Sequence, residues 1–222
     1  MSSNSPPSNI RSGVPARSGR KVLRLPPRGS GQRIGLFGGS FNPAHRGHLM
    51  VALYALKHLQ LDWVWWLVSP QNPLKDKSET GEYADRLRHT KRIARHPRFL
   101  VTDIERQMQS KYTADTLRQL RQKSGASKFV WIMGADSLTS LHRWHDWLDI
   151  AATMPLAVLA RPGYSMKSLR SPAALRFAMS RVTMPAGIFA GKPPAWTFVT
   201  MPLRRESSTA IRRRRPSAKS KT

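Results

Sequence analysis

The sequence predicts an α/β domain in which helices cover both faces of a parallel β-sheet. Six short runs recur along the chain, and they are apolar throughout instead of alternating with polar residues. Helical patterns separate these runs, as expected where each parallel strand needs a crossover connection to the next. At 222 residues the chain is long enough for one domain with a sizeable core.

The elements follow one another in regular alternation. The first strand is predicted at 33–37, where the apolar run Ile34-Gly35-Leu36-Phe37 begins. An amphipathic run at 46–60 predicts the first helix. The remaining strands are predicted at 63–68, 99–104, 128–133, 156–160 and 196–200, and the remaining helices at 82–95, 113–123 and 137–151. This order indicates a Rossmann-like doubly wound sheet in a single domain, 33–212, which binds ligands at the carboxyl ends of its strands.

Basic residues are concentrated at the two ends of the chain. The formal net charge is +26, and residues 1–33 and 204–222 each contribute +7 (seven Lys and Arg without an acid, and eight with one). We predict a disordered extension over 1–32, rich in Ser, Pro and Arg, in preference to a transit peptide, because Pro15, Pro26 and Pro27 interrupt any helix. Residues 213–222 form a basic tail. We interpret most of this charge as solvated surface that binds nucleic acid only non-specifically, if at all.

A glycine turn with two histidines follows the first strand. Gly38, Gly39 and Ser40 carry little side chain, which lets the backbone approach a bulky, charged ligand. His45 and His48 stand at the start of the predicted helix, where free N–H groups and the helix dipole favour an anion. Because histidine rings can donate further hydrogen bonds to phosphoryl oxygens, this stretch predicts a nucleotide site.

Several other kinds of site are excluded or unsupported. Gly35-x-x-Gly38-Gly39 does not match the dinucleotide pattern Gly-x-Gly-x-x-Gly, and no Gly-x-x-x-x-Gly-Lys-Ser/Thr loop occurs. The absence of cysteine excludes thiolate chemistry and fits a reducing cytoplasm. The apolar runs are shorter than the ~18–20 residues of a membrane helix, so we expect no membrane partner. His142 and His145 have no carboxylate at metal-binding spacing, so we predict no metal held by the protein alone.

A second anion-binding segment is predicted near the C-terminus, at Ser207-Ser208-Thr209-Ala210-Ile211-Arg212. Hydroxyl groups before an apolar residue are typical of a helix start, where they cap N–H groups or contact phosphate. Arg212 would lie near the first turn and could hold a phosphate with two hydrogen bonds. Taken alone, the segment favours a solvated tail. Paired with the glycine–histidine stretch, it favours a phosphate site.

Together the two segments resemble the signature of the nucleotidyltransferase superfamily. His45-x-Gly47-His48, behind Gly38-Gly39-Ser40-Phe41-Asn42-Pro43, is similar to its histidine motif. Ser208-Thr209-Ala210-Ile211-Arg212 is similar to its C-terminal box, with Glu206 where an apolar residue is usual. The resemblance implies that His45, His48 and Arg212 are catalytic and act as cationic donors that stabilise phosphoryl charge.

Three more segments resemble the bacterial nicotinate-nucleotide adenylyltransferases. Gly134-Ala135-Asp136, followed by Trp144, is similar to that family's Gly-x-Asp and tryptophan. Residues 111–117 are similar to a second segment, with Lys111 in place of a serine, and residues 70–75, which end in Lys75, to a third. The matches extend over about 33–212 and therefore cover the whole predicted domain.

The resemblance implies two sets of binding residues. Those for ATP are Gly38, Gly39, Ser40, Phe41, His48, Gly134, Asp136, Ser208, Thr209 and Arg212. Those for nicotinate mononucleotide are Asn42, Lys75, Tyr112, Thr113 and Trp144. Trp144 would stack on the pyridine ring, and Asp136 would accept a hydrogen bond from a ribose hydroxyl. Purely structural roles compete, since Trp144 and Trp147 could form an aromatic helix face and Asp136 could cap a helix.

We therefore expect adenylyl transfer from ATP to nicotinate mononucleotide, a step of NAD biosynthesis that gives deamido-NAD and pyrophosphate. The protein would position the reactants and stabilise charge, while the ATP phosphates would hold most of the coordination shell of Mg²⁺. One alternative is another transferase of the superfamily, such as a pantetheine-phosphate adenylyltransferase or a cytidylyltransferase. An alternative from a different class is a basic RNA-associated protein.

Overall fold

A six-stranded parallel sheet organises the part of the chain that the computed structural model describes, which is residues 23, 25–26, 29–70, 80–123, 125–160, 165–202, 208 and 211–212. The strands are β1 (Arg33–Gly39), β2 (Trp63–Val68), β3 (Phe99–Thr102), β4 (Lys128–Gly134), β5 (Leu156–Ala160) and β6 (Trp196–Thr200). The helices are α1 (Arg46–His58), α2 (Tyr83–Ile93), α3 (Ile104–Gln107), α4 (Thr113–Gln122), α5 (Ala135–Ser140), α6 (Trp147–Thr153), α7 (Ser165–Leu169) and α8 (Pro172–Arg176). Short 3-10 helices cover Leu141–Arg143, Ala178–Ser180 and Pro185–Phe189. The predicted Rossmann-like α/β fold is confirmed.

The strand order places the end of β1 at the centre of the sheet. The order is β3-β2-β1-β4-β5-β6, and every neighbouring pair is parallel. The chain moves outward through β2 and β3 and then crosses back to β4 on the other side of β1. Ligands of doubly wound sheets bind where the direction reverses, beyond the carboxyl ends of the strands. Gly39 and Gly134 end β1 and β4 at this point.

Both faces of the sheet are buried, as the continuous apolar runs predict. Leu36, Trp65 and Trp131 belong to one core, while Phe37 and Trp66 belong to the other. Each of these five side chains is at most 4% exposed. Successive strand residues point to opposite faces, so α4 packs on the first core and α1 on the second.

The prediction of one continuous helix over 137–151 is wrong. α5 ends at Ser140, a 3-10 turn covers Leu141–Arg143, and α6 begins at Trp147. Asp146 precedes α6 with φ of 48°, in the left-handed region that aspartate tolerates better than most residues. The break leaves Trp144 in an extended conformation between two helical segments.

Other predictions differ from the structure only at their edges or lie outside it. The third strand, predicted at 99–104, ends at Thr102, because α3 begins at Ile104. The predicted extension over 1–32 lies largely outside the described residues, and the tail at 213–222 lies wholly outside them. Among the helices of the described residues, none is long and apolar enough to span a bilayer.

Gly35 provides a test of how tightly the second core is packed. A Cβ atom there would lie 2.5 Å from Cδ1 of Ile132 and 2.6 Å from Cδ1 of Leu61. We expect Gly35→Ala to lower the free energy of unfolding by about 1–3 kcal/mol in urea denaturation, because it overpacks this core. Gly191→Ala is the matched control, since no atom lies within 4 Å of its added Cβ. Equal effects in the two variants would contradict the proposed close packing.

Candidate active site

The glycine turn after β1 is shaped by packing as well as by any ligand. A Cβ atom at Gly38 would overlap the indole ring of Trp131, and one at Gly39 would lie 3.2 Å from the Phe41 ring. Trp131 lines the cavity described below and is 2% exposed. Gly38 is therefore required for this tryptophan to lie under the turn. The sequence had indicated a different reason, close approach of a ligand to the backbone.

Phe41 lies in the second core. Its side chain is 2% exposed, and its φ of 44° is a left-handed conformation that is rare for a bulky residue. The ring contacts His48 edge-on, with 5.1 Å between centroids, and contacts Phe37 at 5.4 Å. The side chain of Phe41, predicted to contact ATP, thus packs beneath His48.

His45 and His48 together form the N-terminal cap of α1. Gly47 N donates to Nδ1 of His45 at 3.1 Å, and His45 N donates to Nδ1 of His48 at 3.2 Å. Their ring centroids lie 3.9 Å apart. A ring nitrogen that accepts a hydrogen bond carries no proton, so we assign both rings the neutral form with the proton on Nε2. Each histidine then presents an Nε2–H donor, and the pair differs from the cationic pair expected from the sequence.

The C-terminal segment joins the glycine–histidine stretch in space. Ser208 Oγ donates to Pro43 O at 3.0 Å, and Arg212 Nη1 donates to Asn42 O at 2.8 Å. Ser208 and Arg212 are half-buried and helical. The fold therefore brings together two motifs that lie far apart in the sequence.

A cavity of about 470 Å³ opens at the carboxyl ends of the central strands. Its wall includes two groups of residues that the resemblance assigns to different substrates, namely Gly38, Gly39 and Ser40 for ATP and Tyr112, Thr113 and Trp144 for nicotinate mononucleotide. Tyr112 is 37% exposed, and His145 stacks on it with 4.1 Å between ring centroids. The arrangement is compatible with a ligand that has a phosphate end and a planar ring.

Other predicted site residues lie apart from this cavity. Asn42 and Arg212 line a second cavity of about 680 Å³ together with Arg88 and Arg92. The turn after β1 contributes to both, because Ser40 lines the first cavity and Asn42 and Pro43 line the second. Neither cavity wall includes the histidine pair, which caps α1 directly after this turn.

The remaining predicted residues are outside both cavity walls or outside the described chain. Gly134 and Asp136 lie at the end of β4, where Asp136 is exposed. A Cβ atom at Gly134 would overlap the Asp136 carboxylate, so in this structure the glycine makes room for that side chain. Lys75 and Thr209 lie outside the described residues.

Arg86 on α2 is a site residue that sequence reasoning missed. Its guanidinium donates to four backbone carbonyls, those of Gly81 (2.9 Å), Ser40 (2.6 Å), Ser69 (2.8 Å) and Pro70 (2.8 Å). Arg86 is 4% exposed, and this burial lowers its pKa. It ties the turn after β1 to the end of β2 and the start of α2. Among 38 Lys and Arg residues, nothing in the sequence distinguishes this one.

Glu105 on α3 is a second residue that the sequence did not reveal. It is 6% exposed and lines the first cavity. Burial raises the pKa of its carboxyl group to about 7, while a hydrogen bond with Ser69 acts in the opposite direction. Ser69 also donates its backbone N–H to Gly39 O at 3.0 Å. Glu105 is thus connected to the end of β1 through a single residue.

Two further polar groups in the cavity wall have no hydrogen-bond partner within the described chain. They are the indole Nε1 of Trp131 and the imidazole Nδ1 of His142. The break in the predicted 137–151 helix places His142 in this wall. No group of three or more His, Cys, Asp or Glu side chains is placed to hold a metal ion in the same described chain.

Comparison with known proteins gives consistent similarities. The family model described as cytidylyltransferase-like matches residues 36–214. A Cereibacter sphaeroides protein named "Probable nicotinate-nucleotide adenylyltransferase" is 50% identical over 179 residues, which cover 81% of this chain and 96% of the relative. A protein of the same name from Caulobacter sp. is 52% identical over 184 residues, which cover 82% and 97%.

Solved structures show the same fold. The Plasmodium falciparum nicotinic acid mononucleotide adenylyltransferase complexed with NaAD has a TM-score of 0.62 at 15% identity, over 82% of this chain and 83% of that one. The same enzyme complexed with APC has a TM-score of 0.60 at 14% identity, with the same coverage. At these identities the likeness concerns the fold alone.

Arg86 should be critical for the stability of the site. In Arg86→Met the four carbonyls lose a charged donor, so we expect the free energy of unfolding to fall by about 3 kcal/mol or more in urea denaturation. Arg88→Met is the control on the same helix, because its side chain is 73% exposed and its ion pair with Asp85 lies on the surface. A loss in Arg88→Met as large as that in Arg86→Met would refute the role assigned to Arg86.

Glu105 should make stability depend on pH. The pKa of its carboxyl group is about 7 in the folded protein against an ordinary 4.5, so the folded state holds this proton more strongly. The resulting stability is complete below about pH 4.5 and is lost as the pH rises through 7. Relative to Glu105→Gln, the wild type should lose on the order of 3 kcal/mol between pH 5 and pH 8. Denaturation of both proteins across that range measures the difference, and parallel curves would disprove the effect.

Proposed function

This chain belongs to the cytidylyltransferase-like family and, within it, to the nicotinate-nucleotide adenylyltransferases, and on that premise we propose that it transfers the adenylyl group of ATP to nicotinate mononucleotide. The observation that carries the proposal is the cavity that joins the Gly38–Ser40 turn to Tyr112, Thr113 and Trp144. Its glycine end suits a phosphate, and its aromatic end suits a pyridine ring.

The reaction needs no nucleophile from the protein. An oxygen of the 5′-phosphate of nicotinate mononucleotide attacks the α-phosphorus of ATP. The bond from that phosphorus to the oxygen bridging to the β-phosphorus breaks, and pyrophosphate leaves with the electron pair. The products are deamido-NAD and pyrophosphate. Catalysis comes from alignment of the two reactants and from stabilisation of charge on the phosphoryl oxygens.

The start of α1 supplies the donors for this charge. The Nε2–H groups of His45 and His48 act together with the N-terminal end of the helix. Arg212 lines the second cavity with Arg88 and Arg92, and these cations favour the leaving pyrophosphate there. The Phe41 ring contacts the His48 ring edge-on and so positions it.

Each of the remaining residues is assigned to one of the two substrates. Trp144 stacks on the pyridine ring, and Tyr112 and Thr113 line the pocket around it. Gly134 and Asp136, at the end of β4 beside β1, hold the adenosine part of ATP, with Asp136 accepting a hydrogen bond from the ribose. Ser40 and Ser208 contact the phosphates of ATP.

Three further residues complete the assignment. Lys75 supplies positive charge to the acceptor, and Thr209 contacts ATP; both assignments rest on the sequence resemblance. Asn42 contributes to acceptor binding through the turn, an assignment that rests on the sequence resemblance; its Oδ1 accepts from Gly81 N at 3.3 Å, and the residue lines the second cavity.

Mg²⁺ would bind to the protein together with ATP. Magnesium prefers oxygen ligands and keeps much of its hydration shell, so ATP phosphates and water satisfy it without a protein cage. Among the described residues, no group of three or more His, Cys, Asp or Glu side chains is placed to hold a metal ion. When bound with ATP, the ion would neutralise part of the phosphate charge, and the residues named above bind and orient the substrates.

The relatives favour a pyridine nucleotide acceptor over the other acceptors of the superfamily. Their identity of about half extends over four-fifths of the chain, which includes Tyr112, Thr113 and Trp144. The absence of cysteine fits the reducing cytoplasm, where we place the reaction. The basic ends of the chain add non-specific affinity for nucleic acid and are not needed for turnover.

Separate assays with different acceptors test the substrate. ATP should react with nicotinate mononucleotide, and mass spectrometry should detect deamido-NAD together with pyrophosphate. Phosphopantetheine should give no adenylylated product. Turnover of phosphopantetheine in the absence of turnover with nicotinate mononucleotide would overturn the proposed function.

A substitution at His48 separates its structural role from its catalytic role. In His48→Asn the amide oxygen can replace Nδ1 as acceptor from His45 N, whereas the Nε2–H donor is lost. We expect kcat to fall by about 10²–10³-fold, with the thermal unfolding temperature nearly unchanged. His58→Asn, at the exposed C-terminal end of α1, is the matched control and should keep full activity. An active His48→Asn enzyme would exclude the Nε2–H donor from catalysis.

A further inference from the structure

The second cavity is larger than the leaving group that the proposed reaction places in it. Its volume is about 680 Å³, which is in the range of pockets that hold drug-sized molecules, whereas pyrophosphate consists of only two linked phosphate groups. Most of its wall comes from α2, from the N-cap residue Glu82 to Arg92 near the end of the helix. A pyrophosphate beside Arg212 therefore fills only part of this cavity.

α2 carries a row of basic side chains along this cavity and past its edge. Arg88 and Arg92 line the wall one helical turn apart, a spacing at which Cβ atoms on the same face lie about 5–6 Å from each other. Arg92 is exposed, as are Lys91 and Arg95. Within the described chain, none of these last three side chains takes part in a hydrogen bond or an ion pair. Repeated cations of this kind attract a ligand with repeated negative charge.

Two side chains of α2 hold the helix against the turn after β1. Arg86 donates to Ser40 O at 2.6 Å, and His89 Nε2 donates to Ala44 O at 2.9 Å. Arg212 contacts the same turn from the C-terminal segment. The cations of α2 are thus fixed relative to Arg212, and a ligand that bridges them needs little rearrangement of the protein.

The composition of the wall indicates which kind of anion it suits. The wall has four arginines and no phenylalanine, tyrosine or tryptophan among the described residues. Guanidinium groups bind phosphate with paired hydrogen bonds, whereas single-stranded nucleic acids depend on aromatic side chains that stack on the bases. Two carboxylates, Glu82 and Asp85, lie in the first half of α2, where Asp85 pairs with Arg88 on the surface. The cationic end of the wall is therefore the end at Arg92.

We propose that the second cavity binds linear phosphate chains longer than pyrophosphate, which extend from Arg212 along α2 to Arg92. The end beside Arg212 rests on the proposed function, since the ATP phosphates lie there. Such a chain has two chemical sources, namely inorganic oligophosphate, which competes with ATP, and adenosine 5′-tetraphosphate, which can replace ATP as donor. With this donor the bond from the α-phosphorus to the oxygen bridging to the β-phosphorus breaks, and tripolyphosphate leaves with the electron pair.

Calorimetry with inorganic chains tests the site without turnover. Pyrophosphate, tripolyphosphate and tetrapolyphosphate are titrated into the full chain at about 0.15 M salt, which screens the basic ends of the chain. Tetrapolyphosphate should bind about tenfold more tightly than pyrophosphate, as expected for one more charge-assisted contact. In Arg92→Gln most of this increase should be lost.

Arg121→Gln is the matched control, because it removes the same charge from an exposed position on α4. α4 packs on the first core, whereas Tyr83, Leu87 and Ile93 of α2 pack on the second core, so the two helices lie on opposite faces of the sheet. Arg121→Gln should keep the wild-type increase in affinity with chain length. The basic ends of the chain are the same in all three proteins, so their contribution cancels in this comparison.

Kinetics distinguish the two sources of the chain. Tripolyphosphate should raise the KM for ATP and leave kcat unchanged, because both ligands occupy the place beside Arg212. With adenosine 5′-tetraphosphate and nicotinate mononucleotide, detection of tripolyphosphate by mass spectrometry would establish the nucleoside-bound chain as a ligand. Competition by tripolyphosphate without this product would restrict the ligand to inorganic chains.

The outcomes separate this inference from the proposed function. Equal affinity for pyrophosphate and tetrapolyphosphate, or an increase with chain length that persists in Arg92→Gln or is lost equally in Arg121→Gln, would overturn the site. A single-stranded oligonucleotide that binds more tightly than tetrapolyphosphate and depends on Arg92 would assign the row of cations to nucleic acid instead. Each of these results leaves adenylyl transfer intact, whereas the absence of product from ATP and nicotinate mononucleotide would overturn the proposed function alone.

Discussion

The buried guanidinium of Arg86 is the interaction on which the geometry of the site depends. Parallel strands end with unpaired carbonyl groups, and the turns after β1 and β2 cannot satisfy them within the sheet. Arg86 donates to Ser40, Ser69, Pro70 and Gly81, and so fixes both strand ends relative to α2. A planar group with several donors suits this task, because it reaches carbonyls in different directions from a single buried position.

The histidine pair shows how local structure and chemistry use the same side chains. Nδ1 of each ring accepts a backbone N–H and completes the cap of α1. The same bonds determine that the proton of each neutral ring lies on Nε2. Phe41, strained at φ of 44°, packs against the His48 ring and limits its rotation. The cap of α1, the tautomer of each histidine and the orientation of the His48 ring therefore depend on one another. A substitution at His45, His48 or Phe41 affects all three.

Burial, and not an ion pair within the described residues, governs the charge of the Glu105 carboxyl group in the first cavity. Glu105 lies in a wall that also contains Lys111 and Arg143, yet the structure describes no ion pair for it. Its contacts are with Ser69, which is itself bonded to Gly39 and Arg86. Glu105, Arg86 and the turn after β1 thus belong to one hydrogen-bonded network that is joined through Ser69.

The sequence by itself determined the order of the six strands, the helices α1, α2 and α4 and the family resemblance, and it predicted a nucleotide site after β1. These features depend on local patterns: apolar runs buried on both faces, and glycines and histidines adjacent in the chain. Only the tertiary structure decided the roles of Arg86 and Glu105, the break before Trp147 that places Trp144 and His142 in the cavity wall, and the contact of Arg212 with Asn42. Those features depend on burial and on partners distant in sequence, and neither is encoded by residue type or spacing. Arg86 donates its hydrogen bonds to buried backbone carbonyls, and the pKa of the Glu105 carboxyl group rises, only because the fold removes both side chains from water.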